Sequence, residues 1–184
     1  MHVRLLVLSA VSVALAGVPA QTQTLDPLPV MQVASAPLEW QLFSSTEGRF
    51  QVQMPGIPLD ETQTIDFLSL YVASLEASRD RFLVAYADYP REVVDRQDPT
   101  PILQGVQQGF VSRIQGEVLA ERSVNLSGYP GREIRYQTAS GGEGVARFYL
   151  VEERLYQVVI STANEPTNRF DRDADRFLNS FRLQ

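Results

Sequence analysis

Tyrosine and arginine recur together in one stretch of the sequence. Between Gly128 and Ser161 the chain carries Tyr129, Tyr136, Tyr149 and Tyr156 with Arg132, Arg135, Arg147 and Arg154. Such a set could build an aromatic and guanidinium surface for a protein partner. The loop Ser140-Gly141-Gly142-Glu143-Gly144 interrupts the same stretch. Its backbone N–H groups could face an anion, but no lysine follows, Glu143 repels negative charge and no helix start adjoins it. A hairpin tip that touches a partner suits it better. The candidate partner-binding residues are therefore Tyr129, Arg132, Arg135, Tyr136, Gly141, Gly142, Arg147 and Tyr149. Cross-strand tyrosine and Arg-Glu pairing, worth roughly 0.2 to 1 kcal/mol a pair, is the plainer use of the same side chains.

Carboxylates supply the other chemistry. Asp88, Glu92, Asp95 and Asp98 cluster around Tyr89-Pro90 and could act as paired acids or hold a divalent cation. Asp171, Asp173 and Asp175 begin like a calcium loop. That loop needs glycine at its sixth position and a bidentate glutamate at its twelfth, where this chain has Arg176 and Arg182. On a helix the three aspartates also diverge, so a solvated helix face is the better reading. No catalytic, cofactor-binding or metal-ligating residue is assigned; a carboxylate-bound divalent cation is the one cofactor left open.

Composition narrows the chemistry further. The 184 residues include no cysteine, no lysine and one histidine, His2. Met1 to Ala20 reads as a secretory signal: Arg4, an apolar run from Leu5 to Ala16, then Val18-Pro19-Ala20 before the cut. The run is about 12 residues, too short for a bilayer core of roughly 30 Å. Cleavage removes His2, leaving a chain without His, Cys or Lys. Ser-His-Asp and Cys-His catalysis, Schiff-base chemistry and imidazole or thiolate metal sites fall away. A net charge of -6, with 16 basic against 22 acidic residues, speaks against nucleic acid or an anionic membrane as partner. The mature protein is expected outside the cytoplasm, in the periplasm or thylakoid lumen, without direct membrane insertion.

The elements that must position these residues follow from period and punctuation. Gln21 to Leu38, rich in Pro, Gln and Thr, reads as a flexible leader, and residues 39–184 as one domain. Phe50, Val52 and Met54 share one face of a strand; Phe82, Val84 and Tyr86 share one face of another. Thr100 as N-cap and Pro101 at the first turn open a helix through Gln115. Its apolar face is Ile102, Leu103, Val106, Phe110, Val111 and Ile114, with Gly105 and Gly109 opposite. Those glycines mark either a close backbone neighbour or a tolerated weak spot. Glu117 to Leu126 forms a further strand. Pro130-Gly131 suits a type II turn that starts a three-strand meander, and Thr167 to Ser180 is an amphipathic helix whose stripe is Phe170, Ala174, Phe177, Leu178 and Phe181. The expected class is α+β, a single antiparallel sheet with flanking helices in the order ββββ-α-ββββ-α.

Four segments carry a resemblance: Glu47-Gly48-Arg49-Phe50 with Met54-Pro55-Gly56, Tyr86-Ala87-Asp88-Tyr89-Pro90, Gly128-Tyr129-Pro130-Gly131-Arg132-Glu133, and Phe177-Leu178-Asn179-Ser180-Phe181. In that order they resemble the PsbP-like superfamily, which takes in the extrinsic photosystem II proteins. The resemblance implies a central antiparallel sheet flanked by helices. It also implies a non-enzymatic accessory or assembly role beside a membrane complex, possible photosystem attachment in the thylakoid lumen included. Two alternatives stand beside it: a carboxylate-dependent hydrolase of envelope polymers, and a small-ligand carrier with an apolar pocket between sheet and helix.

Overall fold

The computed structural model describes residues 39–65, 68–77, 79–94, 98–163 and 165–184. The expected signal segment, the leader and Asp95 lie outside the described residues.

Burial on one face shapes some strands and burial on both faces shapes the central ones. Strand β1 (Gln41–Ser45) pairs with β2 (Phe50–Met54), whose Phe50, Val52 and Met54 are buried while Gln51 and Gln53 are partly exposed. Strands β3 (Leu59–Ile65), β4 (Leu68–Ala77) and β5 (Asp80–Asp88) follow as a meander. A one-turn helix α1 (Arg91–Val94) and the longer α2 (Pro99–Arg113) come next. Strands β6 (Glu117–Leu126), β7 (Tyr129–Gln137), β8 (Glu143–Val151) and β9 (Arg154–Thr162) form the second meander. Helix α3 (Asn168–Ser180) and the two-residue β10 (Arg182–Leu183) close the chain.

The α+β class holds, but the strands form two antiparallel sheets rather than one. A seven-stranded sheet runs β3-β4-β5-β9-β8-β7-β6, and a separate three-stranded sheet runs β1-β2-β10. The break falls at Pro55-Gly56-Ile57-Pro58, where Gly56 takes φ 145°, a conformation open to glycine. Beyond it the chain leaves β2 and starts a new layer. Five strands precede the first helix, not four. Strand β10 is too short to show a period.

Two local expectations are corrected. The turn into β7 is Ser127-Gly128, with φ of 53° and 96° and Leu126 paired to Tyr129, the two positive values of a type I′ hairpin. Pro130 and Gly131 lie inside β7. The N-cap of α2 is Asp98, not Thr100: its carboxylate accepts from the Thr100 N–H at 2.9 Å and hydroxyl at 2.8 Å, and Pro99 opens the helix.

One face of the large sheet is covered by the small sheet and α3. Phe50, Phe82, Val84, Tyr156, Val158, Phe170, Phe177 and Phe181 meet there. Phe177 stands edge-on to Phe82 at 5.3 Å, and Phe50 lies 5.4 Å from Phe181. Two buried arginines tie the layers together. Arg147 donates to Glu133 at 2.6 Å and, at 2.9 Å each, to the Leu178 carbonyl and Asn179, fastening the end of α3 to β7 and β8. Arg154 grips Asp88 through both carboxylate oxygens and donates to the Glu47 carbonyl at 2.7 Å, fastening the β1–β2 turn to β5 and β9.

Truncating the ring at the centre of this layer should be costly. Phe177→Ala is expected to destabilise by about 3 to 5 kcal/mol, seen as a lower urea midpoint with little change in slope. A loss under about 1 kcal/mol would mean that α3 does not seal this core.

Candidate functional site

The other face of the large sheet is only partly covered. Helix α2 packs on β7 and β8, where Leu103 meets Ile134, Ala146, Phe148 and Leu150. The rows on β4, β5 and β9 that point the same way are Leu70 and Val72; Leu83, Ala85 and Ala87; Leu155, Gln157 and Val159. They form the floor of a groove of about 730 Å³ whose wall is the flank of α2, with Ile102, Gly105, Val106, Gly109 and Phe110. That volume lies within the usual range of small-molecule sites, about 300 to 1,000 Å³.

The wall owes its shape to glycine. A Cβ added at Gly105 or Gly109 would have no neighbour within 4 Å. The close-neighbour reading of these glycines therefore fails, and the missing side chains widen the groove instead. At one end α2 stops with Ile114 as C-cap, Gln115 at φ 50° and the Gly116 N–H bonded to the Val111 carbonyl. Gly116 is obligatory for a different reason: a Cβ there would stand 2.4 Å from the Gln137 carbonyl oxygen. Arg113 and Ile114 thus sit above the sheet row Tyr136, Gly144, Ser161, Arg81, which is continuous in register across four strands. Tyr89, Val93 and Pro101 line the opposite end.

A smaller cleft of about 190 Å³ lies beside the small sheet, between Ser45, Glu47, Asp60, Thr62, Tyr71 and Tyr86. Tyr71 and Tyr86 stack at 4.9 Å, and the Arg154 guanidinium lies 4.6 Å from the Tyr86 ring centre. The Tyr156 hydroxyl donates to the Gly48 carbonyl at 2.7 Å. The Arg154 hydrogen bonds hold the Asp88 carboxyl below its ordinary range, against the opposing effect of its burial. Asp88 is thereby committed to structure. Glu92 is exposed on α1, and Asp98 caps α2. Among the described residues no three His, Cys, Asp or Glu side chains converge.

The eight residues of the tyrosine-arginine set do not share a surface. Tyr136 and Arg132 point toward the α2 face, while Arg135, Arg147 and Tyr149 point toward α3, as the alternation along β7 and β8 requires. Arg147 and Tyr149 are buried, and Tyr136 is buried edge-on against Phe110 at 5.1 Å. Arg135 pairs with Asp171 at 2.8 Å and Arg132 with Glu121 at 2.9 Å. Tyr129 is partly exposed, Gly141 is exposed at the tip with φ 87°, and Gly142 is buried against the Thr162 carbonyl. Of the eight, only Tyr136 lines the groove. The groove residues themselves were signalled by β4 and β5, which are apolar on both sides.

Burial pushes the Tyr136 hydroxyl up to about 12, with a Ser161 hydrogen bond opposing. Burial, with Glu47 second, pushes Tyr86 up to about 12 as well. Unfolded tyrosines ionise near 10. Between those values the folded chain keeps protons that the unfolded chain has lost, so stability falls as pH rises from about 10 through about 12. Titration of tyrosinate absorbance should show a late phase near 12 that shrinks in Tyr136→Phe. Ionisation of every tyrosine in one step near 10 would contradict the burial of this end of the groove.

No family model matches the chain, and no curated protein matches it by sequence. Among solved structures it is similar to the solution structure of the cyanobacterial PsbP of Synechocystis, with a TM-score of 0.59 over 82% of this chain and 96% of that one, at 13% identity. Likeness at that identity is likeness of fold, and it agrees with the architecture expected from the four sequence segments: the chain has a PsbP-like fold.

Proposed function

We propose that this is a non-enzymatic accessory protein that works outside the cytoplasm by binding a protein of a membrane complex, with a photosystem in the thylakoid lumen as the leading candidate. The observation that carries the reading is the PsbP-like fold, which spans nearly the whole of the cyanobacterial neighbour. The described acids support it too. Asp88 and Glu133 are held by guanidinium groups as structural anchors. Burial pushes Glu133 up, and its bonds from Arg122 and Arg147 outweigh that and keep it ionised. Burial raises Asp173, with Asp80 nearby and Arg169 between them. That pair comes nearest to what a carboxylate hydrolase requires. Neither acid lines the groove or the smaller cleft. No described helix is long and apolar enough to cross a membrane, in keeping with a protein that reaches its complex from one side.

A second reading, carriage of a small apolar ligand, is favoured by the groove between α2 and the sheet. The two are compatible, since an accessory protein can deliver what it binds.

A tagged copy purified from gently solubilised membranes of the native host is expected to bring down subunits of one membrane complex in fixed ratio to itself. Recovery of the protein alone, at high yield and across several mild detergents, would overturn the accessory role.

A further inference from the structure

We propose that the groove holds a single-chain anionic amphiphile, its acyl chain lying between α2 and the sheet and its carboxylate meeting Arg81 and Arg113. The inference rests on the groove being a ligand site and names the ligand class.

The length fits. From Arg81 to Ala87 the floor follows six residue steps of β5, about 20 Å at strand rise, the extent of a long acyl chain. The lining fits as well. Leu83, Ala85 and Val159 offer an apolar floor, Val106 and Phe110 an apolar wall, and Gly109 leaves the space between them empty. The charge is placed at one end. Arg81 is the second residue of β5, Arg113 ends α2, both line the groove, and both are exposed. Neither guanidinium makes a hydrogen bond or ion pair with a described residue. Glu76 stands opposite Arg81 in register without forming an ion pair, and Glu61 is on the far rim beside Val72. In a chain of net charge -6, two unpaired cations at the mouth of an apolar groove select a negative head and an apolar tail. A soluble carboxylate would lack the tail, and an uncharged lipid would leave the arginines unused.

The test is calorimetric titration of the whole chain with palmitate below its micelle concentration, and with hexadecanol, which keeps the tail and loses the charge. Palmitate is expected to bind saturably at one per chain. The double variant Arg81→Gln with Arg113→Gln should weaken palmitate on the order of tenfold and leave hexadecanol unchanged. Arg172→Gln, exposed on α3, should alter neither. Gly109→Leu should abolish both while its thermal midpoint stays at or above that of the parent, because leucine is the better helix former and meets open space. Hexadecanol binding as tightly as palmitate would overturn the anionic selection while leaving the carrier reading intact. Refusal of both ligands would overturn the proposal and the carrier reading together, leaving this face to a protein segment. Binding that survives Gly109→Leu in a folded protein would place the ligand elsewhere and overturn the proposal.

Discussion

The central strands β5, β8 and β9 are buried on both faces and must be covered on both sides, and the cover available to this chain is unequal. Seven strands at about 4.8 Å spacing span roughly 29 Å. On one side a second sheet and a 13-residue helix pack over the central strands β5, β8 and β9. On the other side α2 is the only long helix among the described residues, and a helix about 10 Å wide covers about two strands. It packs on β7 and β8, and its flank walls the groove whose floor is formed by rows of β4, β5 and β9. Each further Å² of apolar surface buried there would contribute about 25 cal/mol of stabilisation.

The layers of the other side are locked by polar bonds as well as rings. Arg147 and Arg154 are buried, and each has both a carboxylate and a backbone carbonyl to receive its protons. A buried charge is tolerable only when its partners are so arranged, and removing one partner is more damaging than never having had the pair. These contacts join residues far apart in sequence, Glu47 and Asp88 to Arg154, Glu133 and Asn179 to Arg147. They set where the small sheet and α3 lie. They also explain why a dense set of tyrosines and arginines in the second meander looks like a binding surface in the sequence and is mostly internal in the fold. A guanidinium drawn to an aromatic ring and a carboxylate serves a core as readily as a partner.

The α3 stripe, the meanders and the α+β class were legible because period and turn chemistry are local. Phe170, Ala174, Phe177 and Leu178 are buried together as helical spacing demands. Division into two sheets was not legible, since strand pairing is decided by which layer a strand lands in, and β10 has only two residues to show it. The turn into β7 was misplaced by three residues because Pro-Gly is a strong turn signal, yet Ser127 and Gly128 supply the positive φ values that a hairpin needs. The groove was half visible. Leu83 and Ala85 alternate with Val84 and Tyr86, so β5 had to be apolar on both faces. Nothing local reveals that α2 stops short of covering one of them, or that Gly105 and Gly109 face open space rather than a neighbour.

The proposed reading puts the working surface on the side of α2, where the groove lies. The most direct measurement is site-specific photo-crosslinking in the native host, with a photoreactive phenylalanine replacing Leu83 in the groove or Asp175 on the exposed flank of α3. Adducts of one discrete added mass are expected at position 83 and none at 175. Equal labelling at both positions, or adducts at 175 alone, would contradict the proposed reading.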